Sequence, residues 1–409
     1  MSDARCRSCG AGGLETFLDL GKTPLADATL TAAELTGPED RFPLEVAFCP
    51  TCTLVQILEE VPAERLFVDN YLYLSSFSDA VLAHARRHAR DLVDARSLGA
   101  NSLVVEIASN DGYLLKNFVE LGIPVLGIDP SPAPADAAEA AGIPTLREFF
   151  GDDLAARLTG EGRQADVIIA NNVMAHVPDL NGVVAGMKRL LAPGGVITIE
   201  NPCVVDLVER CEFDTIYHEH LCYLSCTSVD TLVRRHGLWL NDVEYFPDLH
   251  GGTLRWWVGH EPARSASVVR RLEDERLKGF GGGLRYRRFA GDVEHIQAAL
   301  LDLLRSARRE GKRIAAYGAA AKGATLLNAT GIGVDLVEFV VDRNPMKQGR
   351  FMPGTHQPIR PPEALVDEQP DLVVMLAWNF RDEILEQQRA YRDRGGAFIV
   401  PVPVPEVIT

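Results

Sequence analysis

One short segment concentrates side chains that transfer protons or bind metals. Residues 217–225 read YHEHLCYLS, so two histidines flank a glutamate and two tyrosines stand close by. In an extended chain His218 and His220 lie on the same side. However, the metalloprotease spacing H-E-x-x-H is absent and no third ligand is apparent nearby. Three interpretations stay open at this point: a catalytic metal, a polar core cluster, and acid–base catalysis by histidine, whose unperturbed pKa is about 6.5.

The composition restricts the function classes. The 409 residues exceed what one core holds and predict two to four domains. The net charge of −16 disfavours nucleic acids and anionic membrane surfaces as partners. There is no apolar run of membrane-spanning length, and the start, MSDARCRSC, has no hydrophobic signal segment. We therefore expect a soluble cytoplasmic protein, monomeric in the favoured interpretation.

Four of the eight cysteines occur as two C-x-x-C pairs. Each pair presents two thiolates on one side of a turn, and two such turns complete a tetrahedron around zinc. The ligands are Cys6, Cys9, Cys49 and Cys52. Because four thiolates leave no open coordination position, we expect the zinc to be structural. The alternative is redox pairs or free cysteines.

The central part of the chain alternates predicted strands and helices, which indicates a doubly wound parallel sheet with its ligand at the carboxyl ends of the strands. The predicted strands are residues 101–109, 124–131, 143–150, 165–177 and 196–202, and the predicted helices are 110–121, 134–142 and 180–195.

The turn after the first of these strands predicts the kind of ligand. It reads E-I-A-S-N-D-G and contains Glu106, Asn110 and Gly112. A dinucleotide fold usually has three glycines here, because the backbone must approach a pyrophosphate closely. One glycine therefore favours a nucleoside without a pyrophosphate.

Four further residues suit such a nucleoside. Asp129 ends the second strand and is placed to bind two ribose hydroxyls, although a helix cap or solvated turn residue is the alternative. Phe149 and Phe150 are candidates to cover an adenine, and Asn171 to contact the amino-acid end. Together these residues indicate S-adenosylmethionine.

The last third predicts a second Rossmann-like unit. The glycine-rich stretch 279–289 is interpreted as a hinge, followed by a helix over about 290–310. Two later strands end at Asp342 and Asn379. The loop GAAAKG leads into a helix N-terminus with Lys322 beside it, and helix N-termini of this kind commonly bind phosphate groups. The alternative is a structural domain that mediates dimerisation.

Several motifs resemble the S-adenosylmethionine-dependent sugar C-methyltransferases. They are VVEIASNDGYLL, GIDPS, NNVMAHVPDLN, YHEHLCYLS, HGGTLR, YGAAAKG and the N-terminal cysteine pairs, and they cover nearly the whole chain. The resemblance implies methylation of C-3 of a dTDP-linked 4-keto deoxysugar, with an amino group at C-3, in the biosynthesis of a branched antibiotic sugar. One departure is Ala108, where members often have glycine.

The implied reaction assigns roles to the residues. The C-3 proton is removed, and the resulting enolate carbon attacks the methyl group of S-adenosylmethionine. We expect His220 to be the base, with Tyr217 and Glu219 orienting it or donating to the enolate oxygen. Expected to contact the dTDP-sugar are Tyr71, His176, His250, Lys322, Asp342 and Asn379.

The predicted organisation is an α/β chain of three units. Residues 1–68 form a zinc-binding module, residues 69–285 a Rossmann-like methyltransferase domain that binds S-adenosylmethionine, and residues 286–409 a second Rossmann-like domain that binds the nucleotide sugar. Two rival hypotheses are an NAD-dependent nucleotide-sugar oxidoreductase, which the absence of G-x-G-x-x-G disfavours, and a non-catalytic zinc-containing binding protein.

Overall fold

The computed structural model describes residues 4–67, 74–77, 79–247, 249 and 251–409. The elements before the central sheet are β1 (Glu15–Thr23), β2 (Phe42–Phe48), β3 (Val55–Ile57), α1 (Ala63–Phe67) and α2 (Asp79–Arg96).

The middle of the chain contains the largest number of elements. They are β4 (Val104–Ile107), α3 (Lys116–Val119), β5 (Val125–Ile128), α4 (Pro132–Ala140), β6 (Thr145–Leu146), α5 (Asp152–Gly160), β7 (Ala165–Asn171), α6 (Leu180–Leu190), β8 (Leu191–Pro202), α7 (Val204–Glu209), β9 (Cys222–Tyr223), α8 (Cys226–Arg235), β10 (Trp239–Phe246), β11 (Thr253–Gly259), α9 (Ala266–Leu277) and α10 (Gly283–Arg309).

The C-terminal elements follow the long helix α10. They are β12 (Ile314–Tyr317), α11 (Ala321–Thr330), β13 (Val340–Val341), β14 (Ile359–Arg360), α12 (Ala364–Glu368), β15 (Leu372–Met375), α13 (Arg381–Gln387), α14 (Arg389–Arg392), β16 (Ala397–Val400) and β17 (Glu406–Ile408). No helix among the described residues combines the length and the apolar character needed to cross a bilayer.

The first sheet joins the N-terminal strands to a strand from the YHEHLCYLS segment. Its order is β1-β2-β3-β9, and all neighbours are antiparallel. Tyr223 pairs with Val55 and Cys222 with Gln56, while the Ile57 N–H donates to the Leu221 carbonyl at 3.0 Å. The segment expected to carry the catalytic residues is therefore an edge of the zinc module (residues 4–67).

The second sheet has seven strands in the order β10-β11-β8-β7-β4-β5-β6. Strands β4 to β8 run parallel, and β10 and β11 add an antiparallel edge. The chain reverses its direction of winding at β4, and such switch points are where open α/β sheets bind ligands. The predicted Rossmann-like methyltransferase fold is confirmed.

The third sheet has the order β14-β13-β12-β15-β16-β17 and is parallel except for β17. Its switch point lies between β12 and β15. The loop GAAAKG follows β12, and the 3₁₀ turn Trp378–Phe380 follows β15. The predicted second Rossmann-like unit is thus present, whereas the two boundaries between the three units remain predictions.

The structure differs from the predicted elements just after β4. Residues 110–115 form turns, and the helix is reduced to α3. Asn110 has φ +50° and Gly112 has φ +73°, which a right-handed helix does not accommodate. The long strand expected over 165–177 likewise ends at Asn171, before a 3₁₀ turn at Met174–His176.

The predicted hinge at 279–289 is also different, because α10 already begins at Gly283. Tyr286 and Phe289 are fully buried, and the Tyr286 ring stacks on Phe48 of β2 with centroids 4.8 Å apart. Burial of these rings compensates for the poor helix propensity of the glycines. Helix α10 consequently packs on the zinc module instead of acting as a flexible linker.

Candidate active site

The four paired cysteines come together as one cluster. All four sulfur atoms lie within 4.8 Å of one another, with Cys6 to Cys52 at 3.4 Å and Cys9 to Cys49 at 3.6 Å. A tetrahedral zinc with bonds of about 2.3 Å requires sulfur separations of about 3.8 Å. The donor set therefore fits a closed structural zinc site, as predicted.

A group of buried polar atoms lines the carboxyl ends of β4 and β7. Within the described part of the chain, Glu106 Oε2, Asp111 Oδ1 and Asn171 Oδ1 have no hydrogen-bond partner. Burial, followed by the charges of Asp129 and Asp111, raises the pKa of Glu106 well above its usual value. This edge of the sheet has several acidic groups and open hydrogen-bond acceptors, so it suits a cationic ligand that carries donor groups. S-adenosylmethionine is such a ligand.

The turn at this edge has an unusual backbone. Ala108 has φ +55°, in the left-handed region that favours glycine, so its methyl group is held at a conformational cost. This explains physically why a glycine suits the position. Gly112 is restricted differently, because a Cβ there would lie 2.8 Å from Ile143 Cγ1.

Asp129 lies under the same turn and is 4% exposed. Its Oδ2 accepts the Asn110 N–H and its Oδ1 accepts the Ser131 N–H, each at 2.8 Å. Burial raises the pKa of this carboxyl, and the backbone donors oppose the shift. A carboxylate has about four lone-pair positions, and the two backbone donors and the Ser131 side chain leave about one of them for a ribose hydroxyl.

The two phenylalanines expected beside an adenine have different surroundings. Phe149 is 45% exposed. Phe150 is half-buried and packs towards α6, where its ring lies 3.1 Å from the position of a Cβ built on Gly186. Only Phe149 therefore presents a largely open ring.

The YHEH turn fixes the orientation of His220. His220 Nδ1 lies 2.9 Å from the Thr215 carbonyl oxygen. Because a carbonyl can only accept, Nδ1 carries the hydrogen and Nε2 keeps its lone pair. The half-buried ring is therefore held in the tautomer that accepts a proton at Nε2.

Two of the predicted neighbours surround this ring. Tyr217 packs on His220 with centroids 4.1 Å apart, and His176 lies 4.9 Å away. His176 Nδ1 donates to the Glu219 carbonyl at 2.6 Å, and burial lowers the pKa of His176 to about 4. His176 is therefore neutral at physiological pH.

Glu219 is buried against residues from two other parts of the chain. Burial, followed by the charge of Asp27, raises the pKa of Glu219 to about 8, while Lys347 opposes the rise. Lys347 Nζ donates to Asp27 Oδ1 at 3.2 Å and to the Ala319 carbonyl at 2.8 Å. Glu219 is thus mostly protonated at neutral pH and able to donate a hydrogen bond.

His218, the other histidine of the segment, faces the zinc module. It is fully buried, and its Nε2 lies 3.1 Å from the Pro43 carbonyl oxygen. Because the carbonyl is an acceptor, Nε2 carries the hydrogen. The ring packs edge-on against Phe42, at 5.7 Å between centroids. His218 and His220 therefore point to different partners, and the described residues provide no metal cluster other than the four cysteines.

The predicted residues of the C-terminal sheet occupy its carboxyl edge. Asp342 accepts the Ala319 N–H and the Asn344 N–H, each at 2.7 Å, in the same arrangement as Asp129 in the central sheet. Lys322 Nζ donates to Asn379 Oδ1 at 2.9 Å. Burial lowers the pKa of Lys322, and the charges of Asp214 and Glu212 oppose this. Tyr71 and His250 lie outside the described residues.

A separate buried charge cluster secures the antiparallel edge of the central sheet. The Glu200 carboxylate accepts from Arg255 and from His84 Nε2. Although burial opposes ionisation, these contacts hold the pKa of Glu200 at about 2. Arg255 also pairs with Glu244. The cluster joins α2 to β8 and β11.

Sequence reasoning missed Asp27, Lys347, Asp214 and Trp378. Each contacts the segment of residues 212–223, here called the catalytic segment, or belongs to it. Asp27 and Lys347 are 320 residues apart and form an ion pair. No motif or local periodicity marks such pairs. The only available signal is position, since Lys347 and Trp378 lie in loops that follow strands of a Rossmann-like sheet.

Each of the three parts of the chain matches a known protein family. Residues 6–67 match the family described as "Putative zinc binding domain", residues 81–242 match "Methyltransferase domain", and residues 248–403 match "C-methyltransferase C-terminal domain".

Among curated relatives, C-methyltransferase NovU of Streptomyces niveus is 34% identical over 407 residues, which covers 99% of this chain and 96% of NovU. A ubiquinone biosynthesis O-methyltransferase of Methylobacterium nodulans is 30% identical over 40% of this chain and 64% of the relative. Among solved structures, the glycopeptide N-methyltransferase MtfA aligns with 43% of this chain and 96% of its own, at 14% identity and a TM-score of 0.34.

Proposed function

Since the chain belongs to the C-methyltransferase family, we propose that it methylates C-3 of a dTDP-linked 4-keto deoxysugar, with an amino group at C-3, in the biosynthesis of a branched antibiotic sugar. The main observation that supports this proposal is the orientation of His220, whose Nδ1–H donates to the Thr215 carbonyl. In this tautomer Nε2 is the ring nitrogen that accepts a proton, and we assign to it the removal of the proton next to the keto group.

S-adenosylmethionine supplies an electrophilic methyl group, because its sulfonium leaves as a neutral thioether. In the proposed cofactor site, Glu106 and Asn171 provide open acceptors, and Asp129 keeps about one lone-pair position for a ribose hydroxyl. A buried acidic edge suits the positive charge of this cofactor.

The remaining chemistry belongs to the catalytic segment. His220 Nε2 takes the C-3 proton, and the electron pair of the C–H bond moves into an enolate with its charge on the C-4 oxygen. Stabilising this oxyanion requires a hydrogen-bond donor. Glu219 suits that role, because burial keeps its carboxyl mostly protonated at neutral pH. The Tyr217 ring, packed on His220, holds the imidazole plane.

The C-terminal sheet is the proposed site of the nucleotide. The first half of GAAAKG, residues 318–320, leads into α11 and is braced by Asp342, which accepts the Ala319 N–H. In a Rossmann-like sheet such an edge accommodates phosphates and riboses. Two Rossmann-like units in one chain agree with a reaction that brings together a nucleoside cofactor and a nucleotide sugar.

A product assay with a panel of dTDP-4-keto sugars tests the substrate. Each sugar is incubated with S-adenosylmethionine, and the mass and position of the added methyl group are measured. We expect methylation at C-3 of the 3-amino-4-keto sugar. Methylation of a hydroxyl or amino group, or of none of the sugars, would contradict the proposal.

A second experiment tests the base. In heavy water without S-adenosylmethionine, deuterium should enter C-3, and His220→Asn should slow this exchange by about 10²–10⁴-fold, the usual contribution of a positioned general base. His295→Asn, an exposed histidine on α10, is the matched control. Exchange by His220→Asn at the wild-type rate would exclude His220 as the base.

A further inference from the structure

A short hydrogen bond connects the C-terminal sheet to the catalytic segment. Trp378 Nε1 donates to Asp214 Oδ2 at 2.6 Å. Trp378 begins the 3₁₀ turn after β15, whereas Asp214 is the middle residue of the 3₁₀ turn Phe213–Thr215 and is fully buried. The contact is an N–H to carboxylate bond between a half-buried indole and a fully buried carboxyl, so it is stronger and more directional than a neutral bond.

Lys322 completes this contact from the other side. Its Nζ lies 4.5 Å from the centroid of the Trp378 ring and donates to Asn379 Oδ1 at 2.9 Å. Burial raises the pKa of Asp214 to about 6 and that of Glu212 to about 8. At pH 7 Asp214 is therefore mostly ionised and Glu212 mostly protonated, and the charge of Asp214 is the first of those that oppose the lowering of the Lys322 pKa by burial.

The turn that Trp378 holds is the turn that orients the base. Asp214 and Thr215 are adjacent, and the Thr215 carbonyl receives the hydrogen of His220 Nδ1 at 2.9 Å. Thr215 is fixed further by its own Oγ1, which donates to the Glu212 carbonyl at 2.7 Å. Any movement of Asp214 therefore displaces the acceptor that selects the tautomer of His220.

We propose that Trp378 and Asp214 are positioning residues for His220, and that Lys322 serves this network instead of acting as a phosphate-binding cation. The inference rests on the proposed role of His220 as the base. Trp378 reaches across from the C-terminal sheet and fixes the Phe213–Thr215 turn, and the turn fixes the imidazole. The switch point of the C-terminal sheet thus contributes to proton removal without contacting the reacting atoms.

Trp378→Phe is the most specific perturbation, because it removes the N–H donor and keeps an aromatic ring beneath Lys322. Trp257→Phe is the matched control. Its indole also donates to a carboxylate, Glu244 Oε2 at 3.1 Å, but it lies on the antiparallel edge of the central sheet. Both variants lose one indole–carboxylate bond, and only Trp378→Phe loses it next to the catalytic segment.

Two readouts separate positioning from a general loss of stability. In ¹⁵N-histidine NMR, the His220 signals, identified by their absence in His220→Asn, should show the Nδ1–H tautomer in wild type and a mixture of tautomers in Trp378→Phe. Deuterium exchange at C-3 and kcat should both fall by about 10-fold or more, whereas KM and the affinity for S-adenosylmethionine should change less than about 2-fold. Trp257→Phe should match wild type in all five of these quantities.

Asp214 provides an independent pair of variants if Trp378→Phe folds poorly. Asparagine keeps an oxygen that accepts from Trp378, so Asp214→Asn should retain more exchange activity and more of the Nδ1–H signal than Asp214→Ala. If His220→Asn exchanges at the wild-type rate, the base assignment itself is wrong. A second outcome is that His220→Asn is inactive while Trp378→Phe and Asp214→Ala show wild-type exchange and unchanged His220 signals. In that case His220 remains the assigned base, and the positioning role of Trp378 and Asp214 is refuted.

Discussion

The protonation state of Glu219 predicts how the stability of the protein depends on pH. Glu219 is 8% exposed, and burial together with Asp27 raises its pKa to about 8. In the unfolded chain a glutamate has a pKa of about 4.3. Between these values the folded protein binds one proton more than the unfolded chain does. Its contribution to stability is therefore present at low pH and is lost as the pH rises towards 8.

The magnitude follows from the same two values. One proton changes the free energy of unfolding by about 1.4 kcal/mol per pH unit, so the interval from pH 6.5 to 8.0 gives about 2 kcal/mol. Partial ionisation in the folded state near pH 8 reduces this to roughly 1.6 kcal/mol. Other buried groups also change stability in this interval, among them Glu212, whose pKa is raised to about 8, and His176, whose pKa is lowered to about 4. Their contributions are the same in a Glu219 variant and in wild type, so they cancel when the two proteins are compared at each pH.

Glu219→Gln removes this titration and keeps the shape of the protonated carboxyl. We expect its free energy of unfolding, relative to wild type, to increase by roughly 1.6 kcal/mol between pH 6.5 and 8.0, measured by urea denaturation at fixed ionic strength. Glu120→Gln, an exposed glutamate, is the control and should show no such trend. An equal difference between Glu219→Gln and wild type at both pH values would show that Glu219 is ionised throughout.

Three further outcomes are expected. Cys49→Ser should lose its zinc in metal analysis, whereas Cys211→Ser, at a buried thiol outside the cluster, should keep it; full zinc content in Cys49→Ser would refute the site. Asp129→Ala should weaken S-adenosylmethionine binding by roughly 2–4 kcal/mol in calorimetry. Unchanged affinity would indicate that the cofactor binds elsewhere. Arg255→Met leaves the Glu200 carboxylate without its main counter-charge, so it should destabilise the protein by about 3–5 kcal/mol in urea denaturation, and a neutral effect would mean that the cluster is hydrated.

The parts of the fold that the sequence predicts correctly are those with a local cause. The cysteine spacing predicts the zinc cluster, and the alternation of apolar strands with helices predicts both Rossmann-like sheets. The prediction is wrong where tertiary packing determines the local structure. At residues 279–289 the glycines favour a hinge, but burial of Tyr286 and Phe289 against the zinc module extends the helix to Gly283.

In the candidate site, too, the sequence predicts the local features and misses those that depend on tertiary packing. His220, Tyr217 and Glu219 are adjacent in the sequence, and the structure brings His176 to them across 44 residues. The sequence cannot indicate that Glu219 is buried beside Asp27, because that depends on how the zinc module packs on the C-terminal sheet. That packing includes a strand-like bridge between Leu30 and Phe351. Contacts of this kind have no periodicity to detect.

These long-range contacts explain why a closed zinc site matters for a reaction that does not use the metal. The catalytic segment is only a short edge strand and two turns, so its own hydrogen bonds cannot fix it. The zinc module holds it through β9 and through His218 on the Pro43 carbonyl, and the C-terminal sheet holds it through Trp378 on Asp214. A general base must stay within a few tenths of an ångström of its proton. Under the proposed mechanism, that precision comes from attaching the segment to two neighbouring units, one of which a bound zinc would stiffen.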